Sequence, residues 1–175
     1  MTDLSAPDRL ETERLVLRPR RADEAATYRK LWTERDPRVP ARRRIDAEGQ
    51  PTIEDVAEQL RAEVASPGLK VLAVEVKNTG AVIGYCGLFA VDVRPPDEPD
   101  LAYELLAPAH GHGYATEAAR AVVDWAREAG CLRLWADVWD WNTASRRVLA
   151  KLGFHETGVV EPGAQGVSLQ TVLEP

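Results

Sequence analysis

The sequence predicts a mixed α/β sheet of about seven strands with four main helices, and three observations lead there. Short apolar, β-branched stretches alternate with segments whose apolar residues recur at helical spacing, in the order β-α-α-β-β-β-α-β-α-β-β. A glycine-rich turn stands between one strand and the helix that follows it. Of 175 residues, 45% are apolar, enough for the core of one compact domain and hardly of two. No internal repeat or linker interrupts the order. The expectation is one domain over residues 1–175 with its core at about 10–173.

Residues 13–18 (ERLVLR) read as a first strand closed by Pro19. Asp23 is then placed to cap a helix reaching about Glu34, with Ala25, Tyr28, Leu31 and Trp32 at helical spacing. Pro37 and Pro40 stop it, and residues 36–50 read as a polar, arginine-rich surface loop. Thr52 and Asp55 open a second amphipathic helix, with Ile53, Val56, Leu60 and Val64 on one face, ended by Pro67 and Gly68. Residues 71–76 (VLAVEV) and 81–91 flank Lys77-Asn78-Thr79-Gly80, which reads as a hairpin turn. A strand over 101–106 leads into the glycine-rich turn, and an alanine-rich helix over 114–128 is closed by Gly130. A strand over 132–139, a helix over 143–152 and two last strands broken at Pro162-Gly163 complete the chain.

Composition narrows the function classes. Charged residues make up 29% and glycine and proline are ordinary in number, against a disordered, fibrous or disulfide-scaffold protein. Residues 1–9 hold no apolar segment of secretory type, and no run approaches the ~18 apolar residues that span a bilayer. Cytoplasmic residence is the expectation. A net charge of -6 disfavours unspecific binding to nucleic acid or anionic membranes. Arg42, Arg43 and Arg44 are a local exception, read as a solvated loop because no aromatic residues interleave them. Cys86 and Cys131 lie in apolar runs without metal-like spacing and read as buried free thiols.

The sharpest motif is His110-Gly111-His112-Gly113-Tyr114-Ala115-Thr116. Small residues at 111, 113 and 115 let a ligand approach the backbone, and the helix behind them presents unpaired N–H groups and a positive dipole end. Such a turn can cradle phosphates. A dinucleotide-binding GxGxxG would need glycine where Thr116 stands, and a plain tight turn is the structural alternative. No carboxylate or cysteine accompanies His110, His112 or His155 at metal-binding spacing, so no metal is expected.

At this motif the chain resembles the GNAT superfamily of N-acetyltransferases, whose pyrophosphate loop has the form Gln/Arg-x-x-Gly-x-Gly/Ala. Residues 110–115 match every fixed place except the first, where His110 replaces Gln or Arg. Residues 100–105 (DLAYEL) look like the fourth strand of the branch typified by bacterial acetyltransferases of ribosomal-protein N-termini. Asn142, Ser145, Leu149, Gly153 and Phe154 match that branch's NxxSxxxLxxxGF helix. The resemblance implies a fold whose fourth and fifth strands splay apart to admit the pantetheine arm of acetyl-CoA. Leu105, Leu106 and Ala107 would offer backbone groups to pantetheine, residues 111–116 would hold the pyrophosphate, and Asn142, by its type also a good helix cap, would contact pantetheine or the splayed strand. Transfer would be direct, in a ternary complex, because neither cysteine falls in a motif.

Three side chains are candidates for the chemistry. Asp100 and Glu104 lie four residues apart on a strand and so share a face. Either could take a proton from the incoming ammonium, directly or through water, or both could be solvated carboxylates. In the serine-bearing branch of the resembling family the hydroxyl at Ser145 approaches the sulfur and would donate to the departing thiolate; the alternative is a second cap. Trp135, Trp139 and Trp141 alternate to one side and could wall an acceptor pocket, although packing against a helix or partner subunit is preferred. The expected partner is an amine, on a small molecule or a protein N-terminus, and a homodimer stays open. The rival reading is a subunit that binds acyl-CoA without turnover, as a sensor or structural element.

Overall fold

The computed structural model describes residues 4–164 and 166–174. Residues 1–3, 165 and 175, which the single-domain reading includes, lie outside the described residues. Among the described residues there are eight strands: β1 (Leu10–Glu11), β2 (Leu15–Arg18), β3 (Val71–Val76), β4 (Ala81–Phe89), β5 (Asp100–Leu105), β6 (Leu134–Trp139), β7 (His155–Gly163) and β8 (Gly166–Leu173). Four α-helices accompany them: α1 (Ala25–Glu34), α2 (Ile53–Ala65), α3 (Tyr114–Glu128) and α4 (Thr143–Leu152). No helix among these residues is long and apolar enough to cross a membrane.

The strands form one sheet in the order β1-β2-β3-β4-β5-β6-β8-β7. Every neighbouring pair is antiparallel except β5 and β6. The eighth strand beyond the expected seven is β1, two residues that pair with Val16 and Leu17.

Strand periodicity divides the core between the two faces. Leu15, Leu17, Leu72, Val74 and Val76 pack with Val122 and Ala126 of α3 and with Leu149 of α4. From the opposite face Ala73, with Val82 and Tyr85, meets Ala25, Tyr28, Leu31, Val56 and Leu60 of α1 and α2. Thr52 and Asp55 cap α2 reciprocally, as their spacing predicts: the Thr52 hydroxyl accepts from the Asp55 amide and the Asp55 carboxylate from the Thr52 amide.

The start of α1 departs from expectation. A 3-10 turn over Ala22–Glu24 precedes it, and Glu24 rather than Asp23 turns inward, accepting from the Arg21 amide at 3.0 Å and pairing with Arg18. A glutamate reaches back to the turn's free amide and to the buried arginine together, so the shorter Asp23 stays in solvent. Strand β6 starts at Leu134, later than the expected 132, because the Leu132 amide donates to the Asp97 carbonyl in the segment that leads into β5. Loop 36–50 contains a short 3-10 turn, Ala41–Arg43. Cys86 is buried and Cys131 half-buried, both free.

Candidate active site

Strands β5 and β6 share one registered pair, Asp100 with Trp135, and diverge beyond it. Leu105 lies opposite Gly84 while the Leu106 amide donates to the Ile83 carbonyl at 2.8 Å. That is the pattern of a non-hydrogen-bonded pair, so the N–H and C=O of Leu105, and of Tyr103 two residues before it, turn from β4 into the gap. The Leu105 carbonyl lies 2.7 Å from His110 Nε2. The other two residues expected to serve pantetheine have partners within the protein: Leu106 gives its amide to Ile83, and Ala107 gives its own to Glu34 Oε2 at 2.8 Å.

The chain then turns through a 3-10 segment, Ala107–Ala109, into α3. Gly111 and Gly113 both take left-handed φ, near 79° and 80°, which a residue with a Cβ adopts only under strain. A Cβ at Gly111 would meet no atom within 4 Å, so the space over the turn is open. Gly113 caps α3, whose first amides have no intrahelical partner. Arg14 braces this turn: its guanidinium lies 4.6 Å from the Tyr114 ring centre and donates to the His112 carbonyl at 3.0 Å. Glu117 receives the Thr12 hydroxyl and the Arg14 amide and guanidinium. Burial raises its pKa, but these donors outweigh it and hold the carboxyl below its ordinary value.

A cavity of about 600 Å³ runs from this turn into the gap. Gly111, Gly113, Tyr114, Ala115 and Thr116 border it, with Arg147 and Lys151 of α4 contributing positive charge. His112 lies outside that border and stacks toward Tyr114, ring centres 5.7 Å apart. A second cavity of about 390 Å³ opens farther along the splay and carries Asp100, Asp137 and Trp139 on its wall. Tyr103, Glu104, Asn142 and Ser145 border both, so the three expected catalytic residues share one cavity and two of them stand at the junction.

Asn142 settles the capping question for α4, since its Oδ1 accepts from the Ser145 amide at 3.1 Å. The Ser145 hydroxyl is therefore free of that task and lies 2.9 Å from the Tyr103 hydroxyl. Burial pushes the Tyr103 phenol above its ordinary pKa, although the Ser145 contact works the other way.

Glu104 is tightly held. Arg35 grips both carboxylate oxygens at 2.7 Å, and the Tyr85 hydroxyl donates to Oε2 at 2.8 Å. Arg35 is only 9% exposed, donates also to the Arg43 carbonyl at 2.7 Å and stacks on Trp32. Burial works against its charge, but the Glu104 bonds prevail and raise its pKa. Asp100 sits at the closed end of the splay, buried, with Arg94 at 2.6 Å. Burial raises its carboxyl pKa and Arg94 opposes that. Trp139 and Trp141 stack at the cavity wall, 6.2 Å apart and nearly parallel, with Arg38 over Trp141. Trp135 instead packs under Arg94 and donates to Glu98.

Arg35, Tyr85, Arg94 and Tyr103 escaped the sequence reading. Tyr103 left one signal: a phenol inside an apolar strand face needs a hydrogen-bond partner when buried. The arginines left none, since their partners lie 69 and 6 residues away across loops without a period.

Comparison with known proteins agrees with this geometry. Among curated proteins, YkkB of Bacillus subtilis (strain 168), uncharacterized, is 33% identical over 91 residues, 50% of this chain and 52% of that protein, so the match spans about half of its length. YoaA of the same strain, an uncharacterized N-acetyltransferase, is 27% identical over 156 residues, covering 86% of this chain and 85% of that one. An acetyltransferase (GNAT family) structure from Bacillus anthracis superposes with a TM-score of 0.78 at 18% identity, over 95% of this chain and 98% of that one. Mycobacterium smegmatis RimJ in complex with CoA-disulfide superposes with a TM-score of 0.67 at 24% identity, over 91% and 81%. The family model for the acetyltransferase (GNAT) domain matches residues 14–155. With a splayed β5/β6 pair, a glycine turn opening α3 and a match over most of its length, this chain belongs to the GNAT acetyltransferase family.

Proposed function

We propose that the protein works in the cytoplasm and moves the acetyl group of acetyl-CoA to a primary amine, on a small molecule or a protein N-terminus, by direct transfer in a ternary complex. The observation that carries this is the meeting of two cavities at Ser145, Tyr103 and Glu104. The larger one fits the co-substrate: open space over Gly111, the free amides of α3 and the charges of Arg147 and Lys151 suit a diphosphate. The gap between β5 and β6 presents the edge groups of Tyr103 and Leu105 to an amide-bearing arm.

The chemistry follows from the residues at the junction. The acceptor must arrive as a free amine; its proton passes through water to a remaining lone pair of Glu104, because three donors already occupy that carboxylate. Asp100, buried and paired with Arg94, holds the closed end of the splay beyond the junction. The C–N bond forms, the C–S bond breaks with its electron pair going to sulfur, the proton that the nitrogen then sheds leaves through water, and the Ser145 hydroxyl donates to the nascent thiolate, which solvent later protonates. Burial raises the Cys86 pKa and removes that thiol from use as a nucleophile.

Thermal shift and thiol release test the reading together. Acetyl-CoA at about 100 times its Kd should add about 2.7 kcal/mol of stability, with NAD inert, and a panel of primary amines should release free CoA. Stabilisation without thiol release from any amine would support the non-catalytic reading. No stabilisation, or as much from NAD, would refute both.

A further inference from the structure

Ser145 is held at three points. Its amide donates to Asn142, its carbonyl oxygen lies 3.1 Å from the Tyr103 hydroxyl, and its own Oγ lies 2.9 Å from that same hydroxyl. A phenol has one proton, so Tyr103 can satisfy only one of the two Ser145 oxygens at a time. When it donates to the carbonyl, the serine hydroxyl can donate back to the phenol oxygen, and its proton then turns from the gap. When it donates to Oγ, the serine proton is released toward the gap. The two arrangements differ by rotation of two hydroxyl groups.

Which arrangement prevails depends on what stands in the gap. Without negative charge there, the first satisfies every group, including a helix carbonyl. A thiolate in the gap reverses the preference, because a hydrogen bond to a charged acceptor is stronger than one to a neutral carbonyl. Burial raises the pKa of Tyr103, so the phenol keeps its proton throughout and serves as a donor rather than an acid.

We infer that Tyr103 is a positioning residue for Ser145: as charge develops on the departing sulfur, the Tyr103 O–H turns from the Ser145 carbonyl to Ser145 Oγ, and the Ser145 O–H turns from Tyr103 to the sulfur. Neither hydroxyl loses its proton. The electron pair of the C–S bond stays on sulfur, the nitrogen's proton leaves through water, and the thiolate is later protonated from solvent. The inference rests on the reading of Ser145 as the group that meets the leaving sulfur.

The test is a double-mutant cycle with hydroxylamine as acceptor, a small nucleophile uncharged at neutral pH, which takes acceptor deprotonation out of the rate. Thiol release above the protein-free rate, which hydroxylamine's own attack on a thioester sets, gives kcat and the KM for acetyl-CoA, and every release named below is counted above that rate. The acetyl-CoA thermal shift reports whether each variant is folded. Tyr103→Phe should lower kcat roughly tenfold and leave KM within about twofold, since one neutral hydrogen bond is at stake. In a Ser145→Ala background the same change should do nothing further to kcat, because the two hydroxyls act as one unit. Losses that multiply in the double variant, or full kcat in Tyr103→Phe, would overturn the inference while leaving Ser145 in place. A fully active Ser145→Ala protein would overturn the serine's role and this inference with it. A wild type that binds acetyl-CoA but releases no thiol would refute the catalytic reading itself. If Tyr103→Phe folds poorly, Tyr103→3-fluorotyrosine keeps the shape and strengthens the donor; its kcat should equal or exceed wild type, and a fall counts against the proposal.

Discussion

Removing the Arg35 side chain should be among the most damaging single changes in the chain. Arg35 is 9% exposed and Glu104 22%, so Arg35→Ala leaves a largely buried carboxylate with Tyr85 as its one remaining donor among the described residues. Breaking a buried pair by deleting one partner costs about 3–5 kcal/mol. The residual exposure of Glu104 lets water recover part of this, which places the loss near the lower end, about 3 kcal/mol. The lost bond to the Arg43 carbonyl adds about 1 kcal/mol, and with it goes the tie between loop 36–50 and the sheet. At roughly 2–4 °C per kcal/mol for a chain of this size, Tm should fall by roughly 10 °C. Denaturant titration with comparison of m values is the assay, since an unchanged m attributes the loss to stability alone. Replacing both partners, Arg35→Met with Glu104→Gln, should recover much of it because no charge is then stranded. A loss in Arg35→Ala below about 1 kcal/mol, or a double variant worse than the single one, would show that the pair is solvated and that the reasoning fails.

Three further outcomes can be checked. Gly113→Val places a β-branched residue at left-handed φ, with its Cβ 3.5 Å from the Arg14 guanidinium that braces the turn, and so distorts the turn that presents the free amides of α3; it should cost about 1–2 kcal/mol and abolish the acetyl-CoA thermal shift, and a retained shift would refute the phosphate cradle. Gly84→Ala should destabilise by more than about 3 kcal/mol, because its Cβ would lie 2.1 Å from the Glu104 carbonyl oxygen and 2.8 Å from Leu105 Cα, backbone atoms that cannot step aside; a tolerated alanine would mean that β4 and β5 lie farther apart. Glu117 has a folded pKa below its ordinary 4.5, so its contribution is complete above that value and fades as pH falls through the folded value. Glu117→Gln should therefore be less stable than wild type at neutral pH, with the gap in Tm closing in acid below about pH 4.5; a gap independent of pH would contradict the assignment.

Much of the fold was legible because it is local. The period of residues 114–128 and 143–152, the Thr52 and Asp55 box and the Lys77 to Gly80 turn each specify an element within a few residues, and the observed bounds follow them. Where local signals compete, reading failed: Asp23 and Glu24 are both acidic at a helix start, and Arg18, brought alongside by the sheet, decides between them. The glycine turn could be read because left-handed φ and open backbone leave a compositional mark. The clamp on Glu104 could not, since it joins the residue after α1 to the last residue but one of β5 across 69 residues. From sequence Glu104 is one carboxylate on a strand; the partners that decide what it can do are written elsewhere in the chain.

Strand edges are ordinarily a hazard, because any extended chain can pair with their free groups. At the outer rim this protein guards itself in a familiar way: β7 is exposed along its whole length but carries Glu156, Glu161 and Pro162, which discourage a visitor. The divergence of β5 and β6 creates two more edges, and these lie inside the molecule, lined by α1 on one side and α4 on the other. With strands ~4.8 Å apart when paired, a guest that bridges both edges must be as slim as a single extended chain. The fold thus sorts its visitors by thickness before any side chain tests their chemistry, and it turns the kind of surface that drives aggregation elsewhere into a private slot.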